Sequence, residues 1–127
     1  MIVIDTSALI AIVLRKSQAP QCIKALEAET EVLASAGTIA EALIVAGRRR
    51  VAEEMANLLD GLTISIATVT QASARRVAQA YDQWGKGFHP AGLNFGDCFA
   101  YALAKEHSCP LLFVGKDFSK TDIESVL

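Results

Sequence analysis

Charge is scarce in this 127-residue chain: Asp, Glu, Lys and Arg make up 20% of it, against 52% hydrophobic residues. That balance excludes a disordered chain, which needs low hydrophobicity and high charge. Net charge is equally small, with 12 basic and 14 acidic residues leaving -2. A generally basic nucleic-acid coat is thereby excluded, although a local basic patch is not. Mean hydropathy is +0.33, yet no apolar run exceeds seven residues, as in Ala8 to Leu14. A membrane span needs roughly 18, so such a run belongs to a core or an interface. Cysteine is limited to Cys22, Cys98 and Cys109, with no Cys-x-x-Cys pair and no histidine at zinc-finger spacing. These read as small hydrophobes in a reducing cytosol. The N-terminus lacks a basic n-region and carries Asp5 inside its apolar stretch. No secretory signal is expected, and a cytoplasmic location is. Repeats and low-complexity tracts are absent, and the eight glycines and three prolines are scattered. One domain covering 1-127 is the expectation.

Short β-rich runs alternate with longer helical patterns. Ile2-Val3-Ile4 reads as a strand buried on both faces. Thr6 or Ser7 suits the cap of a helix to about Leu14, and Pro20 the first turn of a second. Residues 31–34 form a weak strand. Thr38 is expected to cap a helix from Ile39 to about Arg49, with Val51 to Leu59 a further helix beyond a bend. Leu62 to Ala67 reads as a strand, and Thr70 as the cap of a helix reaching Trp84. A loop at 85–92 leads to a helix from Asn94 to near His107, then a strand from Leu111 to Val114. The pattern predicts an α/β fold with a small parallel sheet of four to five strands between layers of helices. Ligands of such sheets usually sit outside the carboxyl ends of the strands.

The acids carry the chemical signal. Asp5 is the only charged residue from Met1 to Leu14, Glu41 from Val32 to Gly47, and Asp97 from Phe88 to Ala104 if His89 is neutral. These windows span 14, 16 and 17 residues, and each should hold about three charges at the chain's average of 20%. Glu41 lies in Ile39-Ala40-Glu41-Ala42-Leu43-Ile44-Val45, apolar nearly all round. No Lys or Arg stands three or four positions away. A buried carboxylate needs a partner or shifts its pKa upward.

Topology brings these acids to one edge. Asp5 follows the first strand, and Asp117 follows the last beyond Gly115 and Lys116. If those strands are parallel neighbours, both acids share the carboxyl edge. Asp97 and Glu41 sit near the starts of helices that begin at that edge. Two unit charges about 4 Å apart repel by about 4 kcal/mol at an effective dielectric near 20. Four gathered carboxylates therefore call for protonation or a cation. An all-oxygen set suits Mg²⁺ or Mn²⁺, ions that serve phosphodiester hydrolysis. Plainer roles stay open: Asp5 as a helix cap, Asp97 in a capping box with Asn94, and Asp117 in a turn.

These residues resemble the PIN-domain ribonucleases, and among them the VapC toxins. The resemblance rests on Asp5-Thr6-Ser7-Ala8-Leu9 after a strand, Glu41 36 residues downstream, and the segment from His89 to Phe99 containing Asn94-Phe95-Gly96-Asp97. Leu111-Leu112-Phe113-Val114-Gly115-Lys116-Asp117-Phe118, with Thr121-Asp122 after it, completes an ordered match along the whole chain. The resemblance implies the PIN fold and a Mg²⁺- or Mn²⁺-dependent endoribonuclease acting on tRNA or other structured RNA. It implies a VapB antitoxin partner and a homodimer. It assigns Asp5, Glu41, Asp97 and Asp117 to metal binding and catalysis, and Ser7 to a hydroxyl position beside the metal. Many relatives carry a second acid where this chain has Lys116.

Arg48-Arg49-Arg50 is the only dense basic run and is a candidate for RNA phosphate, as is Lys116 beside the proposed site. Arg48, Lys116 and Ser7 are thus the expected substrate contacts. Trp84 and Tyr81 suit a core as readily as base stacking. The apolar stretches Ile10 to Leu14 and Leu43 to Leu59 exceed what a small sheet covers, which points to dimerisation or antitoxin docking. Two other functions fit less well. One is a catalytically idle PIN-like module that binds RNA or a partner. The other is a phosphotransfer enzyme, for which Ser7 stands where a phosphatase wants its second acid.

Overall fold

The computed structural model describes all residues, 1–127. Its elements run β1 (Ile2–Ile4), α1 (Thr6–Val13), α2 (Ala19–Glu27), β2 (Val32–Ser35), α3 (Ala36–Arg48), α4 (Ala52–Gly61), β3 (Ile64–Ala67), α5 (Gln71–Trp84), α6 (Phe95–Glu106) and β4 (Leu111–Leu112). The four strands form one sheet in the order β3-β2-β1-β4, every pair parallel. Successive strand residues face opposite sides, so the sheet feeds two cores. Ile2, Ile4, Val32, Ala34 and Leu112 pack with α1, α2, α3 and α4. Val3, Leu33 and Leu111 pack with α5 and α6. This is the expected three-layer arrangement, with four strands. A one-residue parallel bridge between Leu111 and Ser125 stands where a fifth would be.

The differences from the sequence reading have local causes. Ser35, not Thr38, caps α3: strand β2 turns straight into the helix, and the Ser35 hydroxyl accepts the Gly37 N–H at 3.2 Å. Thr38 lies within the first turn, fully buried. Strand β4 stops at Leu112 because the Val114 N–H leaves the ladder to donate to Ser7 Oγ at 3.0 Å. Helices α1, α3 and α6 each end on a non-glycine residue in the left-handed region: Arg15, Arg50 and Ser108. In each, the next N–H returns to a carbonyl of the last turn (Lys16 to Ala11, Val51 to Ala46, Cys109 to Ala104).

Cys22 and Cys98 are buried, Cys109 is half-buried, and all three are free thiols. No helix is long and apolar enough to cross a membrane. The apolar surplus proves narrower than expected. Residues of α1 serve the core, while Leu43 and Ile44 on α3 stay 45% and 60% exposed.

Candidate active site

Strands β1 and β4 are parallel neighbours, so the chain exits both at one edge. Asp5 is the first residue beyond β1 and caps α1 in extended backbone conformation. Its Oδ2 accepts the Ser7 N–H at 3.0 Å and the Ser7 hydroxyl at 2.6 Å. Its Oδ1 is buried and has no partner at all. Ser7 Oγ also accepts the Val114 N–H, so one hydroxyl ties the exits of β1 and β4 together. Its proton goes to Asp5, which makes Ser7 a residue that aims Asp5.

Glu41 approaches from α3. Its Oε1 accepts the Thr6 hydroxyl at 2.6 Å. Its carboxylate lies directly over Gly96 in the first turn of α6, where a Cβ would overlap Oε2 and Cδ. Glycine at 96 thus lets the carboxylate approach α6 this closely, and any Cβ there would make Glu41 shift. The lone acid of an apolar helix finds its partner on α1 and its space on α6, and it ends half-buried.

Asp97 is the third residue of α6 and forms a capping box with Asn94. Its Oδ2 accepts the Asn94 N–H at 3.0 Å, while its own N–H donates to Asn94 Oδ1 at 2.8 Å. Asp97 is 7% exposed and Asp5 2%. Both plainer roles proposed from sequence are thus real, but each occupies only one oxygen. The caps fix the carboxylates, and the oxygens opposite remain.

Electrostatics link the group. Burial pushes Asp5 up to about 6, against the opposing pull of its Ser7 hydrogen bonds, and the Glu41 charge adds to the rise. Burial pushes Asp97 up to about 7, and the charges of Asp5, Asp117 and Glu41 all push the same way. Asp117 itself is exposed, at the rim, in the turn that Phe118 anchors in the core. The four acids are in electrostatic range of one another but do not form a closed cage. No three Asp, Glu, His or Cys side chains stand at coordinating spacing.

The remaining candidates divide. Lys116 is exposed beside Asp117. Arg48 is not brought to the acids: α3 runs away from the carboxyl edge, and Arg48 lies two turns past Glu41, about 10 Å along the axis. Trp84 belongs to the core, donating from Nε1 to Tyr101 Oη at 2.8 Å, which in turn donates to Asp122 Oδ1 at 2.6 Å. His89 serves its own loop, with Nδ1 accepting the Ala91 N–H at 2.9 Å and its ring edge-on to Trp84. Sequence reasoning missed Thr6, which holds Glu41, and Gly96, which seats it. Only the three-residue spacing of Asn94 and Asp97 carried a local signal.

The chain is similar to known proteins along nearly its whole length. The PIN domain model matches residues 2–124. The VapC ribonuclease Mb0640 of Mycobacterium bovis is 39% identical over 127 residues, covering 98% of this chain and 97% of that protein. The crystal structure of Mycobacterium tuberculosis VapC20, titled a Sarcin-Ricin loop cleaving toxin, superposes with a TM-score of 0.80 at 17% identity, over 99% of this chain and 98% of that one. A toxin-antitoxin complex from Klebsiella pneumoniae gives 0.72 at 20% identity, over 96% and 93%.

Proposed function

The chain belongs to the PIN-domain family, and from that premise we propose that it is a VapC-type toxin, an endoribonuclease acting with a divalent cation. The observation that carries this reading is Asp5 Oδ1, a buried carboxylate oxygen with no protein partner, beside a second buried acid, Asp97. An unmet buried acceptor costs about 1–3 kcal/mol, more when charged. An all-oxygen donor set with free oxygens on Asp5, Glu41 and Asp97 fits a hard divalent ion, Mg²⁺ or Mn²⁺. Asp5 and Asp97 would hold it directly, and Glu41 and Asp117, which do not stand at coordinating spacing with them, would reach it by a side-chain shift or through water. When bound, such an ion neutralises the acids, polarises a phosphate oxygen and makes water more acidic.

The chain's own groups do the positioning. Ser7 holds Asp5 Oδ2, the Asn94 N–H holds Asp97 Oδ2, and Thr6 holds Glu41 Oε1. Each acid is fixed by one oxygen and presents the other. Glu41 Oε2, free of Thr6, is the acceptor for a proton of the attacking water. Water adds to phosphorus in line, the P–O3′ bond breaks, and the departing 3′ oxygen takes a proton. The products are a 5′-phosphate and a 3′-hydroxyl. Lys116, exposed beside Asp117, is the proposed phosphate contact, and tRNA or other structured RNA is the proposed substrate.

The similarity to a curated VapC ribonuclease supports the nuclease assignment. The likeness to a toxin-antitoxin complex supports a VapB-type antitoxin partner. Leu43 and Ile44 offer an apolar face for a second copy or that antitoxin. We further propose one PIN domain covering 1-127 and a cytoplasmic site of action.

The test is cleavage of a total tRNA preparation with Mg²⁺, with Mn²⁺ and with EDTA. Discrete fragments that need the ion and carry 5′-phosphates are expected. Fragments ending in 2′,3′-cyclic phosphate would replace water with the ribose hydroxyl as nucleophile. Intact tRNA that is nonetheless bound would favour an idle RNA-binding module.

A further inference from the structure

We infer that Phe95, with the apolar groove beside it, is a stacking platform for an unpaired base next to the bond that is cut. This rests on the ribonuclease reading above. Phe95 opens α6 two residues before Asp97 and, at 71% exposed, is the most exposed large hydrophobic side chain of the molecule. Its exposure is not looseness. The ring meets Phe99 edge-to-face, with centroids 5.0 Å apart and planes at 89°. Phe99 in turn lies over Gly37 in the first turn of α3, where a Cβ would overlap its ring. Gly37 thus seats Phe99, and Phe99 braces Phe95. A braced ring with an open face offers stacking area at low entropic cost.

Its position ties it to the acids. A helix turns about 100° per residue. Gly96 faces Glu41, and Cys98 faces a groove against α5. Phe95 stands on the lip between the two. The groove runs along Ala74, Ala78, Tyr81 and Cys98, with Asp82 as its only charged lining residue. Tyr81 meets a second exposed ring, Phe88, edge-to-face at 5.9 Å, and Phe88 is 64% exposed. Small residues on α5 keep the groove flat enough for a ring.

The occupant follows from charge and proximity. A phosphate held at the acids places a neighbouring nucleotide over the lip. A groove whose one charge is a carboxylate repels phosphate but accepts an uncharged base, and Asp82 can receive base N–H groups. A base inside a duplex cannot offer its face. The substrate class is therefore RNA that is unpaired beside the cut.

The test titrates an unstructured RNA carrying 2-aminopurine, and the same strand annealed to its complement, into wild type, Phe95→Ala and Phe95→Trp. Cleavage of total tRNA with Mn²⁺ and melting curves accompany it. Wild type is expected to quench the fluorescence. Phe95→Ala is expected to bind the single strand roughly 5- to 150-fold more weakly, with tRNA cleavage falling in step. Phe95→Trp retains both, melting is unchanged in either variant, and duplex binding is the same in all three. Equal single-strand binding by wild type and Phe95→Ala overturns the inference, and if wild type still cuts tRNA the ribonuclease reading survives. Loss of a co-expressed protein partner with RNA binding intact would give the groove to that partner and overturn the inference. A wild type that cuts no RNA overturns both.

Discussion

Asp97→Asn is expected to reduce ion-dependent RNA cleavage by roughly a thousandfold or more. It is also expected to raise the melting temperature of the ion-free protein by several degrees at pH 7.5. The two effects separate chemistry from structure. The replacement amide oxygen still accepts the Asn94 N–H, so the capping box that Asp97 makes in wild type survives. What disappears is a buried negative charge among other negative charges.

The sign follows from linkage. Asp97 and Asp5 are raised to about 7 and about 6 by burial. An acid raised above its unfolded value of about 3.9 favours folding fully below that pH. The contribution is lost as pH climbs to the folded value. Ion-free wild type should therefore lose stability between about pH 4 and 7. Asp97→Asn should lose less, and the gap should be widest above pH 7. Each tenfold in ionisation is worth about 1.4 kcal/mol, so the gap is on the order of a few kcal/mol. Melting curves at pH 5 and 7.5 in EDTA check it. A variant that melts lower than wild type at both would make Asp97 a structural cap and nothing more.

Gly96→Ala is expected to destabilise the fold by about 1–3 kcal/mol and to cut activity at least tenfold, approaching the loss from Glu41→Gln. Helix-interior Gly→Ala changes ordinarily stabilise by about 0.5–1 kcal/mol. Here the new methyl would overlap Glu41 Oε2, whose carboxylate is held on its other oxygen by Thr6. Gly47→Ala supplies the control, since that helical glycine has open space around its Cβ position. Denaturant melts should move in opposite directions for the two variants. Parallel stabilisation would mean that Glu41 swings aside freely and that its seat on Gly96 is unimportant.

How legible this was from sequence varied with the range of each interaction. The Asn94–Asp97 box and the Thr70 cap of α5 depend on residues three apart, and both could be read. A parallel sheet followed from the alternation of elements, whereas the pairing of β1 with β4 entered only as a condition that the structure meets. The seat of Glu41 and the tie between the two strand exits could not be read, because the partners are distant in sequence. Thr6 and Glu41 are 35 positions apart, and Ser7 and Val114 are 107. The apolar surround of Glu41 signalled that a partner must exist without naming it. Thr38 misled because a strand running directly into a helix moves the cap to the strand's last residue, Ser35. The reversal at Arg50 gave no signal, since left-handed helix ends are ordinarily glycine. The sequence did not show how far Arg48 stands from the acids, because that depends on the direction of α3, which carries it about 10 Å along the axis beyond Glu41.

The proposed divalent cation explains why Asp5 and Asp97 are buried, raised and one-sidedly bonded. Titrating Mn²⁺ into the ion-free protein, with free Mn²⁺ followed by its EPR signal, tests this without reference to RNA. Wild type at pH 7.5 should take up the ion at millimolar concentration or below. Uptake should weaken at pH 5, where protons compete for both acids, and should vanish in Asp5→Asn. Uptake that is the same in wild type and Asp5→Asn, or no uptake by wild type at millimolar Mn²⁺, would contradict the account.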